Sequence, residues 1–296
     1  PLRSHQLIED FMILANVCAA ETLEEKTTPC MYRIHDEPDR EKLAALRDFL
    51  KTMDLNLAPG QVLKPKAFNA ILAKAEGSPA EHLVHQVVLR SQSQAVYSPD
   101  NIGHFGLALP RYAHFTSPIR RYADLLVHRG LIAAGNLGND GLPRNDPTDW
   151  RQVGERISRA ERRAMAAERD AIDRFTALFL SEKVGAQFEG RVSGVSRFGL
   201  FVALEESGAD GLVPIRTLGA EFFQHDEAQH ALVGERTGET WRLGDVVTVK
   251  LLEADPIGGR LRLEIVSDAP ARSAPGAKKR PPKGRSHGGR RGGKRR

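Results

Sequence analysis

The sequence predicts an α+β protein. Helices fill residues 1–183, a small closed five-stranded β-barrel fills 184–268, and a disordered basic tail occupies 269–296. Three observations carry this division. Apolar residues recur every three or four positions through the first part, as one face of a helix requires. From about residue 185 the period shortens to two, and glycines punctuate the runs, as for short strands joined by turns. After Asp268 there is no acidic residue but eleven Lys and Arg among Gly, Pro and Ser, a composition with nothing to bury.

The elements follow in order. Residues 4–26 form a helix with Ser4 as N-cap and Leu7, Phe11, Leu14, Cys18 and Thr22 along its inward face. Three helices follow: near 39–53 with Leu43, Leu46, Phe49 and Leu50 inward, near 65–76, and near 80–94 with Leu83, Val87 and Leu89 inward. The segment 59–61 is a loop. His104 to Leu109 alternates as a strand that Pro110 ends. A helix over about 118–134 opens at Thr116-Ser117-Pro118 and holds Arg120 and Arg121 in its first turn, and 135–147 is a loop. Residues 148–182 make one long helix, whose Ala-rich seam Val153, Ile157, Ala160, Ala164, Ala167, Ala171, Phe175, Leu178 suits close packing on a neighbouring helix. In the barrel, two strands meet near Ser196 and two more near Pro256–Gly259. His225 and His230 lie in an insertion between strands and read as free surface histidines.

Composition narrows the function. The net charge is +5, but the tail alone holds eleven positive charges, so residues 1–268 carry −6. A polycationic tail binds a polyanion through counterion release, without reading sequence; Lys278, Lys279 and Arg280 are its candidate RNA contacts. The two cysteines, Cys18 and Cys30, make no disulfide framework and no zinc pattern. That suits a cytoplasmic protein, with Cys18 buried on its helix face. No apolar run approaches the roughly 20 residues that span a bilayer. Two guanidinium groups at a helix start, where backbone N–H groups are unpaired, make an anion site, with phosphate the expected anion. Asp124 stands three and four residues beyond the two arginines and can orient either, as an intrahelical pair worth about 0.3–0.5 kcal/mol.

The run HFGLALPRYAHFTSPIRRYADLLVHR at 104–129 resembles the signature of the ribonuclease II/ribonuclease R family, the RNB catalytic domain, and is nearer the ribonuclease R type. SHQLIEDFMILANVCAA and YRIHDEP resemble other stretches of that domain. GRVSGVSRFGLFVAL, DGLVPI and RLGDVVTVKLLEAD resemble an S1 domain, an RNA-binding OB-fold. The resemblance makes 1–183 the C-terminal part of an RNB catalytic domain and 184–268 an S1 domain. It implies a processive 3′→5′ exoribonuclease that hydrolyses single-stranded RNA to nucleoside 5′-monophosphates with Mg2+.

By motif match Arg120 clamps the scissile phosphate, with Arg121 the second candidate. Adjacent helix residues point about 100° apart, so one oxygen is not reached by both. Ser117 belongs to the same motif, His114 and Tyr122 flank it, and His128 is a structural hydrogen-bond donor. Glu168 in AERD matches a family active-site position, with Glu161 in AERR the alternative. Glu9 or Asp10 matches the carboxylate that contacts ribose. In the barrel, Phe188, Phe198 and Phe201 are candidate stacking platforms, with Arg191 and Arg197 for backbone charge. Phe198 and Phe201 differ by an odd number, so either one stacks and one packs, or a bulge at Gly199 turns both outward.

The family's magnesium-binding aspartate cluster has no counterpart here. His35-Asp36-Glu37-Pro38-Asp39 matches a different loop and reads as a helix N-cap. The metal ligands are therefore expected outside this chain, in a preceding segment, and the chain alone is expected to be inactive. Expected partners are single-stranded RNA and the ribosome or RNA-decay machinery, with no membrane and a monomeric state. The competing reading is a non-catalytic RNA-binding protein built from an RNB remnant and an S1 domain; a translation-type S1 protein would leave the arginine motif unexplained.

Overall fold

A computed structural model describes residues 2–51, 53, 55–57, 64–78, 81–227 and 229–266. The loop expected at 59–61, the tail and its Lys278-Lys279-Arg280 group lie outside the described residues. Among the described residues six α-helices come in chain order: α1 Arg3–Glu25, α2 Arg40–Lys51, α3 Pro65–Ala75, α4 Glu81–Ser91, α5 Tyr122–Gly135 and α6 Trp150–Ser181. Between them β1 (Tyr32–Ile34) pairs antiparallel with β2 (Val96–Ser98). The barrel closes in the order β10-β5-β4-β3-β9, from β3 Gln187–Ser196, β4 Gly199–Leu204, β5 Asp210–Pro214, β9 Val246–Asp255 and β10 Arg260–Ile265. The insertion is itself a three-stranded sheet, β6 Phe223–Asp226, β7 Ala231–Gly234 and β8 Thr240–Arg242.

Alternation drives the barrel. Leu200, Val202 and Leu204 on β4 point inward to meet Val247, Val249 and Leu251 on β9 and Leu261 and Leu263 on β10. Trp241 of the insertion and Ala177 and Leu180 at the end of α6 join the same core, so the long helix is seated on the barrel. The β3–β4 corner needs glycine at 199: its φ is +145° and a Cβ there would overlap the carbonyl oxygen of Val213. A second core under α2, α3 and α4 takes in Leu243 of the barrel side. A third packs α1 on α5 through Ala19, Ala20, Leu23 and Val127. A fourth ties β2 and α5 to the start of α6 through Tyr97, Ala123, Leu126, Val153 and Ile157.

Several expectations are corrected. On α1 the buried residues are Asn16, Ala19, Ala20 and Leu23, while Leu7, Phe11, Leu14 and Cys18 are exposed. Periodicity identifies an apolar face but does not say what covers it, and only the last turns of α1 meet α5. The cap is Leu2 rather than Ser4, with no side-chain bond. The buried cysteine is Cys30, whose thiol is pushed up to about 12 by burial and then by Glu24. Leu89 is 73% exposed, because Leu83, Val84, Val87 and Val88 form the buried stripe of α4.

Residues 104–109 are not a strand. A 3-10 turn, Phe105–Leu107, is capped by the His104 ring, which accepts from the Leu107 N–H, and Ala108 takes φ +55°. His230 is not free: it is half-buried and meets the Phe49 ring edge-on at 5.5 Å. The seam of α6 from Ala160 to Phe175 is exposed, with no neighbouring helix on it among the described residues.

Candidate nucleic-acid site around Arg120

The arginine motif does not open the helix as the sequence suggested. Residues 118–120 make a turn, Arg121 is the extended N-cap, and α5 begins at Tyr122. Asp124 explains the difference. Its Oδ1 accepts from the Ser117 backbone N–H at 2.8 Å and from the Arg121 Nη2 at 2.8 Å. This folds the turn back over the start of α5. Asp124 is 0% exposed, so the pair is a buried anchor and not the weak surface pair that the spacing alone predicts. Asp124 thus takes Arg121 and leaves Arg120 exposed, with no ion-pair partner among the described residues.

Arg120, Arg121, Tyr122, Tyr97, Glu161 and Glu168 line one cavity of about 500 Å³ between α5 and α6. Three of the sequence-derived catalytic candidates, Arg120, Arg121 and Glu168, therefore line one cavity. Glu161 is already engaged: Arg33 holds it by two bonds, Nη1 to Oε2 at 2.7 Å and Nη2 to Oε1 at 3.2 Å. Glu168 is exposed and carries no such pair among the described residues, so of the two acids it is the one open to a ligand. The Arg33 guanidinium lies over the Tyr97 ring, 4.5 Å from its centre. The backbone N–H of Tyr97 donates to Ser158 Oγ at 2.9 Å. A Cβ on Gly154 would approach the Tyr97 carbonyl to 2.7 Å, so glycine lets β2 press against α6. Tyr97 is thereby fixed as part of the cavity wall.

His114 stands behind Tyr97, sharing a 2.9 Å hydrogen bond between its Nδ1 and the phenol. Burial, then Arg121 and Arg33, push its pKa down to about 3. His104 is pushed down to about 4 by burial and then by His35. Both are neutral when folded, while the unfolded chain titrates near 6.5. Their contribution to stability is complete above pH 6.5 and is lost as the pH falls toward 4 and then 3. The urea midpoint is expected to drop between pH 7 and pH 5, and His114→Asn should flatten that drop. An equal pH slope in the variant would contradict it.

A second cavity, of about 420 Å³, opens on the other side of the arginine turn and includes His5, Glu9, Asn16, Thr116 and Arg121. Glu9 therefore faces the arginine turn, while Asp10 is exposed outside both cavities. Asn16 ties α1 to this wall, donating to the Tyr112 hydroxyl at 2.9 Å and accepting from the Phe115 N–H at 2.8 Å. Ser117 contributes its backbone, and the His128 ring nitrogen bonds the Phe115 carbonyl at 2.9 Å, a structural role as expected.

On the barrel, Phe198 (63% exposed) and Phe201 (42%) both face outward. Phe198 sits in the corner before Gly199, where strand alternation does not apply. Arg197 lies over the Phe198 ring, 4.8 Å from its centre. Phe188 is half-buried against the barrel core and acts as filler. Arg191 donates to the Gly244 carbonyl at 2.9 Å, so its guanidinium is committed to the barrel rather than offered to a ligand.

Sequence reading missed Arg33, Tyr97 and Asn16. The Arg33–Glu161 pair spans 128 positions, and no local pattern could reveal it. No group of three His, Cys, Asp or Glu among the described residues could hold a metal ion. Asp36 caps the Glu37 N–H and Asp39 that of Glu41, so those acids serve the loop. The acids around Arg120 likewise do not make a magnesium site.

The RNB domain matches residues 1–136, and the S1 RNA binding domain matches 181–266. Ribonuclease R of Aquifex aeolicus is 42% identical over 263 residues, covering 89% of this chain and 37% of that protein. Ribonuclease R of Escherichia coli is 38% identical over 301 residues, covering 99% and 37%. Among solved structures, the apo form of Mycoplasma genitalium RNase R matches with a TM-score of 0.81 at 28% identity, over 89% of this chain and 42% of that one. The same protein in complex with ribose methylated single-stranded RNA matches with a TM-score of 0.81 at 28% identity, over 88% and 42%. The chain spans 37% of the length of the two bacterial ribonucleases R it matches in sequence. Carrying the two domains in this order on the ribonuclease R fold, the chain belongs to the ribonuclease R (RNB) family.

Proposed function

We propose that this chain holds single-stranded RNA for a 3′→5′ exoribonuclease that releases nucleoside 5′-monophosphates in the cytoplasm. The observation that carries the reading is the cavity in which Arg120 stands exposed beside an Arg121 already locked to Asp124. Arg120 is free to fork onto a backbone phosphate, and bidentate guanidinium–phosphate contact is strong and directional. Arg121 adds fixed positive charge without leaving its anchor. Charge that builds on the phosphate during cleavage is met by the Arg120 fork and by the fixed positive charge of Arg121. Glu168, the open acid lining the same cavity, is assigned to the reacting end, and Glu9, in the second cavity, to the ribose side. The divalent ion we assign to the cleavage step is magnesium, and the described residues do not fit it. Its ligands are assigned to none of them.

The Mycoplasma RNase R solved with single-stranded RNA supports RNA as the ligand. The lack of a fitting metal group among the described residues favours one other reading, a binding protein that never cleaves. A ribonuclease carrying these residues, given 5′-labelled RNA and Mg2+, separates the two: a ladder shrinking from the 3′ end supports the enzyme, and full-length RNA after prolonged incubation supports the binder. The barrel's exposed Phe198 and Phe201 are suited to stacking bases.

Truncation after Asp268 is expected to weaken RNA binding and to flatten the fall of log K with log salt. Anisotropy titrations at several salt concentrations check this; an unchanged slope would make the tail a bystander.

A further inference from the structure

The arginine cavity and the barrel aromatics are two RNA-holding places, and α6 runs between them. Its i, i+4 row Ile157–Glu161–Met165–Arg169–Asp173 passes from one to the other. The first three line the arginine cavity. Arg169 and Asp173 instead line a cleft of about 670 Å³ between α6 and the barrel, whose far wall holds Phe201 and Arg260. Residues four apart drift by about 40° around a helix, so such a row winds gradually from one face to the next.

The charge in this cleft is mostly committed. Glu253 is paired with Arg262 at 2.7 Å. Asp255 accepts from the N–H groups of Ile257 and Gly258, and Asp210 accepts from the Ser193 hydroxyl. Among the described residues Arg169 and Arg260 carry no ion pair, and Asp173 is the one acid of the cleft without a partner. Two spare guanidinium groups beside an exposed aromatic ring match the chemistry of a single strand, a phosphate for each cation and a base for the ring. Asp173 is left to accept from a ribose hydroxyl or a base amino group. Arg169 directly follows Glu168, which faces the arginine cavity, so one helix turn presents both sites.

We propose that α6 is a track for single-stranded RNA, with Arg169 gripping a backbone phosphate between a base stacked on Phe201 and the phosphate held by Arg120. This deepens the proposed function and rests on it. The helix rises about 12 Å from Glu161 to Arg169, so the track serves a strand of several nucleotides and not a dinucleotide.

The test is fluorescence anisotropy of the 296-residue chain with 5′-labelled oligoadenylates of two and twelve nucleotides across a salt series. Arg169→Ala should weaken the twelve-mer about tenfold and reduce its log–log salt slope by about 0.7, the value for one phosphate contact on a single strand. Arg169→Lys should restore the slope, and the dinucleotide should not respond to either change. Arg169 is exposed, so unfolding is not the expected result, and a thermal melt of each variant verifies it. An unchanged slope in Arg169→Ala, with Phe201→Ala weakening the twelve-mer, overturns the track and leaves the RNA-holding reading standing. No response in either variant overturns both.

Discussion

Asp124→Ala should cost about 3–5 kcal/mol, the usual penalty for removing one partner of a buried pair. The carboxylate is fully buried and holds two donors, the Ser117 N–H and the Arg121 guanidinium. Removing it strands a guanidinium that is only 20% exposed and opens the turn that presents Arg120. At about 2–4 °C per kcal/mol for a chain of this size, the melting point of the helical part should fall by on the order of 10 °C. Asp124→Asn keeps one acceptor oxygen and loses the charge, so its loss should be smaller. The two tryptophans allow a local readout. Trp150 packs in the core that contains Ala123 and Leu126, next to Asp124, whereas Trp241 lies in the barrel core. Urea unfolding followed at Trp150 in a Trp241→Phe background reports the helical part. A loss below 1 kcal/mol there would mean that Arg121 swings to solvent at little cost and that the turn is not anchored by this pair.

The second large effect is chemical. In a ribonuclease carrying this chain, Arg120→Ala should lower kcat about 10²–10³-fold, as loss of one preorganised donor to the transition state does. RNA affinity should change little, because the barrel and the other contacts remain. That pattern, a fall in kcat with KM nearly constant, identifies a contact made mainly in the transition state. The variant should fold normally, since Arg120 is exposed and holds no ion pair among the described residues. Normal turnover in Arg120→Ala would remove this residue from the mechanism. A rise in KM at constant kcat would reduce it to a ground-state binding contact.

Patterns along the chain located most of the elements, because periodicity and turn chemistry are local. The 32-residue α6 and the barrel strands were legible for that reason. So was the position of the arginine turn, though its conformation was not. Pro118 reads as a helix start, and only the Asp124 contacts to Ser117 and Arg121 reveal that residues 118–120 turn and that an extended Arg121 precedes the helix. Burial was the least legible property. The same amphipathic signal covers the buried end of α1 and its exposed beginning, since an apolar face says nothing of its partner. The Phe198–Phe201 parity question turned on a corner residue that belongs to no strand. Arg33 and Tyr97, which shape the arginine cavity, depend on contacts across the fold: 128 positions separate Arg33 from Glu161. The choice between Glu161 and Glu168 needed that contact, and no spacing on a single helix could have made it.

The most direct measurement places the end of an RNA strand on this protein. A twelve-nucleotide RNA with 4-thiouridine at its 3′ terminus is bound, irradiated, and its crosslinked peptides are mapped. Crosslinks are expected on the walls of the arginine cavity, at Tyr97, Tyr122 or Met165. Crosslinks confined to the barrel would contradict the placement of the strand's end beside Arg120.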